Sequence, residues 1–143
     1  MTDPTPETLE IETSTAMTIC ADHWDGDGTP VVLAHGGGQT RHSWGGTAAV
    51  LAAHGHRVVS MDLRGHGDSS RPSRGYRTRD FAEDVAELIR TMKVGPVVVV
   101  GHSMGSAVAL RLAIDHPDLV SGLLLVGAFA TFSGNAGFVE FYR

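Results

Sequence analysis

With 143 residues, 42% hydrophobic content and a formal charge of −5, the chain has the length and apolar fraction of one ordinary globular domain. The acidic balance leaves no broad basic footprint, which argues against nucleic acid as a partner, and the arginines of residues 71–79 read as a solvated loop. Cys20 is the only cysteine, so an internal disulfide is excluded and the thiol reads as a small core residue.

Residues 1–8 are acidic and proline-bearing, with neither a basic start nor an apolar run. They read as a disordered lead-in and not as a signal peptide. The longest apolar runs, 96–100 and 123–126, fall far short of the roughly 20 residues a membrane helix needs. The expectation is a soluble, cytoplasmic protein with no membrane span.

Residues 9–13 and 16–21 predict two short strands of an edge hairpin, followed by the turn-rich stretch 25–29. Residues 30–34 are apolar on both faces, as a central parallel strand should be, and run straight into His35-Gly36-Gly37-Gly38. A helix is predicted from residue 43 or 44 to 53, closed by Gly55. The next strand, 57–61, ends in Asp62-Leu63-Arg64-Gly65-His66-Gly67-Asp68-Ser69. Asp62 is read as fixing the turn that follows, and His35 and His66 as loop-structuring donors to backbone carbonyls. Thr78 is predicted to cap an amphipathic helix with Phe81, Val85, Leu88, Ile89 and Met92 on its apolar face. Asp80, Glu83, Asp84, Glu87 and Arg90 are assigned to the other faces.

After Gly95-Pro96 come four consecutive valines, a buried-strand signal, and from Ser103 an alanine-rich helix that ends at His116-Pro117. Between them lies Gly101-His102-Ser103-Met104-Gly105. The bare Gly-x-Ser-x-Gly pattern is weak evidence, but a strand before it and a helix after it make it specific. A direct reversal from strand to helix brings backbones into contact and strains the central residue, which is why glycines flank it. A hydroxyl raised there sits at the positive end of a helix, beside the Met104 N–H. Residues 120–127 make one more strand. Residues 128–143 read as the beginning of a lid, with Phe138, Phe141 and Tyr142 on one face of a short helix.

Strands alternating with helices at this spacing predict an α/β fold: a mostly parallel, doubly wound sheet of about six strands with flanking helices, occupying residues 9–127. In such a sheet chemistry collects outside the carboxyl ends of the strands, where the His-Gly loop, residues 62–69 and Ser103 all lie.

The three motifs together resemble the α/β-hydrolase superfamily, nearest its small esterase, lipase and non-haem haloperoxidase-like members. The resemblance covers its N-terminal half only. By that resemblance Ser103 is the nucleophile, Gly101 and Gly105 are the elbow glycines, and the oxyanion hole combines the Met104 N–H with that of Gly37 ahead of Gly38. It implies a small-molecule acyl substrate and no cofactor or metal. His102, inside the elbow, is expected to point away from the serine oxygen.

The family's acid and histidine follow the serine in chain order. After Ser103 the only histidine is His116, at the far end of the following helix and about 20 Å away at 1.5 Å per residue. A general base must come within about 3 Å of the proton it takes, so His116 does not fit, and Asp115 and Asp118 share its rim. Glu140 could reach the active rim, but without a histidine it activates nothing. The expectation is therefore a truncated hydrolase fold lacking its last strands, with impaired activity and base and acid supplied by further sequence or another chain. The alternative is a catalytically silent fragment or binding module. The apolar strand 123–126 would lie unprotected at the sheet edge, a place for self-association or a complementing chain. Nucleotide binding is disfavoured because Gly-x-Gly-x-x-Gly and a lysine-bearing phosphate loop are both missing. The closest histidine pair, His54-x-His56, falls on the non-catalytic rim.

Overall fold

The computed structural model describes residues 4–128. Its strands are β1 (Glu7–Glu12), β2 (Thr18–Trp24), β3 (Pro30–Ala34), β4 (Arg57–Met61), β5 (Val97–His102) and β6 (Val120–Val126). The helices are α1 (Gly45–Ala53), α2 (Thr78–Met92) and α3 (Met104–Asp115), with 3-10 turns at Arg41–Trp44 and Pro117–Leu119. The six strands form one sheet in the order β1-β2-β4-β3-β5-β6. β1 and β2 are antiparallel, β2 joins β4 antiparallel, and β4, β3, β5 and β6 run parallel. The doubly wound α/β architecture expected from the alternation of elements is the one observed.

The inner parallel strands β3, β4 and β5 are largely apolar on both faces because both are covered. In β3, Val32 joins the core beneath α2 and α3, while Val31 and Leu33 join the second cluster beneath α1. In β4 and β5 the same period of two sends Val59, Met61, Val97 and Val99 one way and Val58 and Val100 the other. The α2–α3 side is the larger, with Phe81, Val85, Leu88, Ile89, Val108 and Leu112 buried in it. At about 1.5–3 kcal/mol for each fully buried aliphatic or aromatic side chain, this layer is the principal source of cohesion.

Several boundaries differ from the sequence expectation. Residues 1–8 were expected to be a disordered lead-in, yet β1 begins at Glu7, paired with His23, and Pro4 O accepts a hydrogen bond from Trp24 Nε1 at 3.0 Å. The ladder and the indole anchor order this stretch from Pro4 onward. β2 starts at Thr18 and extends to Trp24, because the Thr13–Met17 backbone bond (2.8 Å) closes a loop in which Ala16 takes φ 57°. Arg77, not Thr78, is the α2 N-cap: its extended N–H donates to Asp80 Oδ2 at 2.8 Å, and Thr78 is the first helical residue.

Asp84 was assigned to a polar face of α2 but is 2% exposed. Its carboxylate takes two hydrogen bonds from Arg64, at 2.6 and 2.7 Å. The expected lid beginning and short helix lie, from residue 129 on, outside the described residues. Among the described residues no helix is long and apolar enough to cross a membrane.

Candidate active site

The strand-to-helix reversal predicted around Ser103 is present. β5 ends at His102, α3 begins at Met104, and between them Ser103 has φ 51° and ψ −113°. For a residue with a side chain this conformation costs about 1–3 kcal/mol, and it persists only where the surroundings over-determine it. Here the Ser103 N–H donates to Val126 O at 2.9 Å, and its carbonyl accepts the Ser106 N–H at 2.9 Å. Ser106 Oγ lies 2.8 Å from Gly101 O and 3.1 Å from Val126 O, fastening the first turn of α3 to the ends of β5 and β6.

The two glycines have separate steric reasons. A Cβ on Gly101 would collide with the Gly105 carbonyl, and one on Gly105 would collide with the Ala34 carbonyl at the end of β3. Their absence lets α3 rest on the strand ends, which brings its N-terminus against the loop that follows β3. Gly37 is the residue that meets it: a Cβ there would be 3.7 Å from Met104 Sδ. Ser103 and Met104 are half-buried, and Gly37 and Gly38 are exposed at the rim.

The N–H groups of the His-Gly loop are not equivalent. Gly36 N–H donates to Gln39 Oε1 at 2.9 Å, and Gly38 N–H donates to His66 Nε2 at 3.1 Å. Neither Gly37 nor Met104, the first residue of α3, has a hydrogen-bond partner for its N–H among the described residues. The sequence expectation was Met104 with Gly37, and Gly38 as the lesser choice. The structure separates Gly38 from the other two, and the role of Gln39 had no signal in the sequence.

Both loop histidines bond to backbone, but as acceptors as well as donors. His35 is fully buried; its Nδ1 meets Gly36 O at 2.7 Å, and its Nε2 accepts the Leu63 N–H at 3.0 Å. Burial pushes its pKa down, with the nearby His66 acting in the same direction, which favours the neutral ring that these two bonds require. His66 Nδ1 meets Arg64 O at 3.0 Å, so its Nε2 is the acceptor for Gly38. The two rings lie 4.9 Å apart and join the loop after β3 to the loop after β4. Inside the elbow, His102 Nδ1 faces Gln39 Oε1 at 3.2 Å.

Beneath these loops, Asp62 accepts the backbone N–H groups of Arg41 (2.7 Å) and Asp68 (3.0 Å) together with the Arg41 guanidinium. Burial works to raise the Asp62 pKa, but these donors outweigh it and hold the carboxyl below the usual range. Arg41 also reaches Asp68 at 2.8 Å and Asp22 at 3.1 Å. Cys20, Asp62 and Asp68 bring donor atoms within 4.8 Å of one another, but the Arg41 guanidinium already supplies the positive charge there.

His116 lies at the opposite end of α3 from Ser103, with Nε2 2.7 Å from Glu83 Oε1 and Nδ1 3.2 Å from Arg90 Nη2. The structure therefore brings together Ser103, Met104, Gly37 and the elbow glycines, and leaves His116 apart.

Comparison with known proteins gives the family of this fold. The chain is 38% identical over 118 residues to an esterase of Mycobacterium tuberculosis, matching 82% of this chain and 39% of that protein. It is 40% identical over 101 residues to a soluble epoxide hydrolase of Corynebacterium, matching 71% of this chain and 35% of that protein. Among solved structures, an esterase from Exiguobacterium antarcticum superposes with a TM-score of 0.83 at 31% identity, over 92% of this chain and 50% of that one. The chain thus spans about half or less of the length of the relatives it matches. The family model for the alpha/beta hydrolase fold matches residues 29–141, which contain all three loops that meet at Ser103. By sequence match and by architecture, the chain belongs to the α/β-hydrolase family.

Proposed function

We propose that the chain carries the nucleophile and oxyanion hole of a serine hydrolase acting on esters or other small acyl substrates. The observation that carries this reading is the strained Ser103 between Gly101 and Gly105, with the Met104 and Gly37 amides, unpartnered among the described residues, beside it. In the reaction Ser103 Oγ attacks the acyl carbon, its proton passes to a base, and the carbonyl oxygen takes up negative charge between the two N–H groups. The alcohol then leaves, taking up a proton, and water releases the acid from Ser103. A serine at this position favours acyl transfer over the halide displacement or epoxide opening for which other family members place an aspartate there.

The base is the missing partner. His35 and His66 commit both ring nitrogens to backbone groups, and His116 faces Glu83 and Arg90. We therefore assign the base and its acid to groups outside residues 4–128. Without them a well-formed site retains about 10³–10⁴-fold acceleration over water, so the 143-residue chain should be a weak enzyme. A second reading, a catalytically silent binding module, is favoured by the same histidine commitments.

A fluorophosphonate probe separates the two readings. Under the hydrolase reading, mass spectrometry places the adduct on Ser103, S103A removes it, and p-nitrophenyl acetate is turned over slowly. An unlabelled Ser103 in folded protein leaves the binding-module reading standing.

A further inference from the structure

We infer that His66 is a positioning residue for the oxyanion hole: by accepting the Gly38 N–H, it aims the free Gly37 N–H at the position above Ser103. The inference rests on the serine-hydrolase reading of Ser103 and adds to it the group that holds the loop.

Among the described residues, the Gly37 amide is free and is flanked by the committed amides of Gly36 and Gly38. Gly36 is buried and fixed three times, by its N–H to Gln39 Oε1 (2.9 Å) and by its carbonyl, which meets the Gln39 N–H (3.1 Å) and His35 Nδ1 (2.7 Å). Gly38 differs. It has φ 74°, is exposed, and a Cβ built on it would meet nothing within 4 Å, so packing does not confine it. The hydrogen bond to His66 Nε2 at 3.1 Å is the restraint on that side of Gly37. Three glycines in succession are a soft segment, and a misplacement of about 1 Å at a reacting group costs up to about 100-fold in rate. A restraint at Gly38 therefore acts on the neighbouring Gly37 peptide.

The imidazole is suited to this in one protonation state. Nδ1–H donates to Arg64 O at 3.0 Å, which leaves Nε2 with a lone pair for Gly38. A second proton would place an N–H against the Gly38 N–H, donor facing donor, and release the loop. The titratable group against the ring is His35, at 4.9 Å between centroids, and the acids of the same loop, Asp62 and Asp68, are paired with Arg41. Arg64, whose carbonyl His66 engages, is itself paired through its guanidinium with Asp84.

The test uses the full 143-residue chain, labelled with ¹⁵N, with variants H66Q and H66F. Glutamine keeps a non-titrating acceptor and phenylalanine has none. In the wild type the Gly38 amide is expected to be protected from solvent exchange, and in H66Q to keep part of that protection. In H66F it exchanges with solvent about tenfold faster, while the Gly36 amide, held by Gln39, keeps its protection and shows that the variant is folded. Fluorophosphonate labelling of Ser103 is expected to slow about tenfold in H66F and to recover in part in H66Q.

A Gly38 amide that is unprotected in the wild type, or that exchanges at the wild-type rate in H66F, overturns the clamp. Equal labelling in all three proteins overturns the positioning role and leaves the hydrolase reading intact. Absence of labelling in the wild type, with the Gly38 protection present, overturns the hydrolase reading alone.

Discussion

Ser103 illustrates how a single residue can be unfavourable for the fold and necessary for the proposed chemistry. Its φ of 51° is a conformation glycine adopts freely and other residues do not. S103G is therefore expected to be more stable than S103A by about 1 kcal/mol, because both lose the hydroxyl and only glycine relieves the strain. Chemical denaturation of the two variants measures the difference; equal midpoints would show that the elbow stores no strain at Ser103. The sequence exposed this residue because the pattern is local, with glycines two positions to either side. It ranked Gly37 ahead of Gly38 by resemblance, but it could not supply the physical reason, because the acceptor that occupies the Gly38 N–H is His66, 28 positions along the chain.

At the level of elements, the loop after β4 is tied to α2 by a buried ion pair as well as by the buried Leu63. Arg64 spans the gap between the loop after β4 and α2, giving two bonds to Asp84 and a third, at 2.6 Å, to Gly75 O. Removing one partner of a buried pair leaves an uncompensated charge, so D84A is expected to lose about 3–5 kcal/mol of stability. Replacing both Arg64 and Asp84 by apolar residues of similar size should cost less than D84A alone, and urea denaturation of the two variants decides the point.

Asp62 gives an acid-side prediction with a definite sign. Its carboxyl titrates lower in the folded chain than in the unfolded one, because of the N–H and guanidinium donors around it. Its contribution is thus fully present above about pH 4 and is lost as acid protonates the folded carboxyl below that. The stability gap between the wild type and D62N should be constant from about pH 5 upward and close progressively below about pH 4. A gap that is unchanged down to about pH 2 would mean the donors do not depress Asp62.

Across the whole molecule, the two edges of the sheet are unlike. β1 ends one side as an antiparallel strand carrying Glu7, Glu10 and Glu12, charges that discourage further pairing. β6 ends the other side with Val-Ser-Gly-Leu-Leu-Leu-Val and no charge, and Leu124 and Val126 are 57% and 44% exposed. We propose that a second copy or a complementing chain binds along residues 123–126. The 143-residue chain is expected to self-associate in light scattering, and L124K, which places a charge on that edge, should shift it toward monomer. A monomer at all concentrations, with a sharp melting transition, would rule this out.

The sequence by itself determined the features that depend on neighbours along the chain. Four valines before a Gly-x-Ser-x-Gly turn, an apolar period of two in the strands and of 3.6 in α2, and the three loops at the strand ends are all short-range patterns. Side-chain alternation and backbone sterics translate them directly into structure. Only the tertiary structure decided what depends on residues brought together from far apart. Asp84 looked like a solvent-facing acid because helix periodicity knows nothing of Arg64, which arrives from a different strand end. Gly38 stood second to Gly37 on resemblance alone until the fold brought His66 to its N–H, and β1 began earlier than composition suggested because β2 was there to pair with it. Hydrogen bonds and ion pairs have partners as well as positions, and the partners are chosen when the sheet forms.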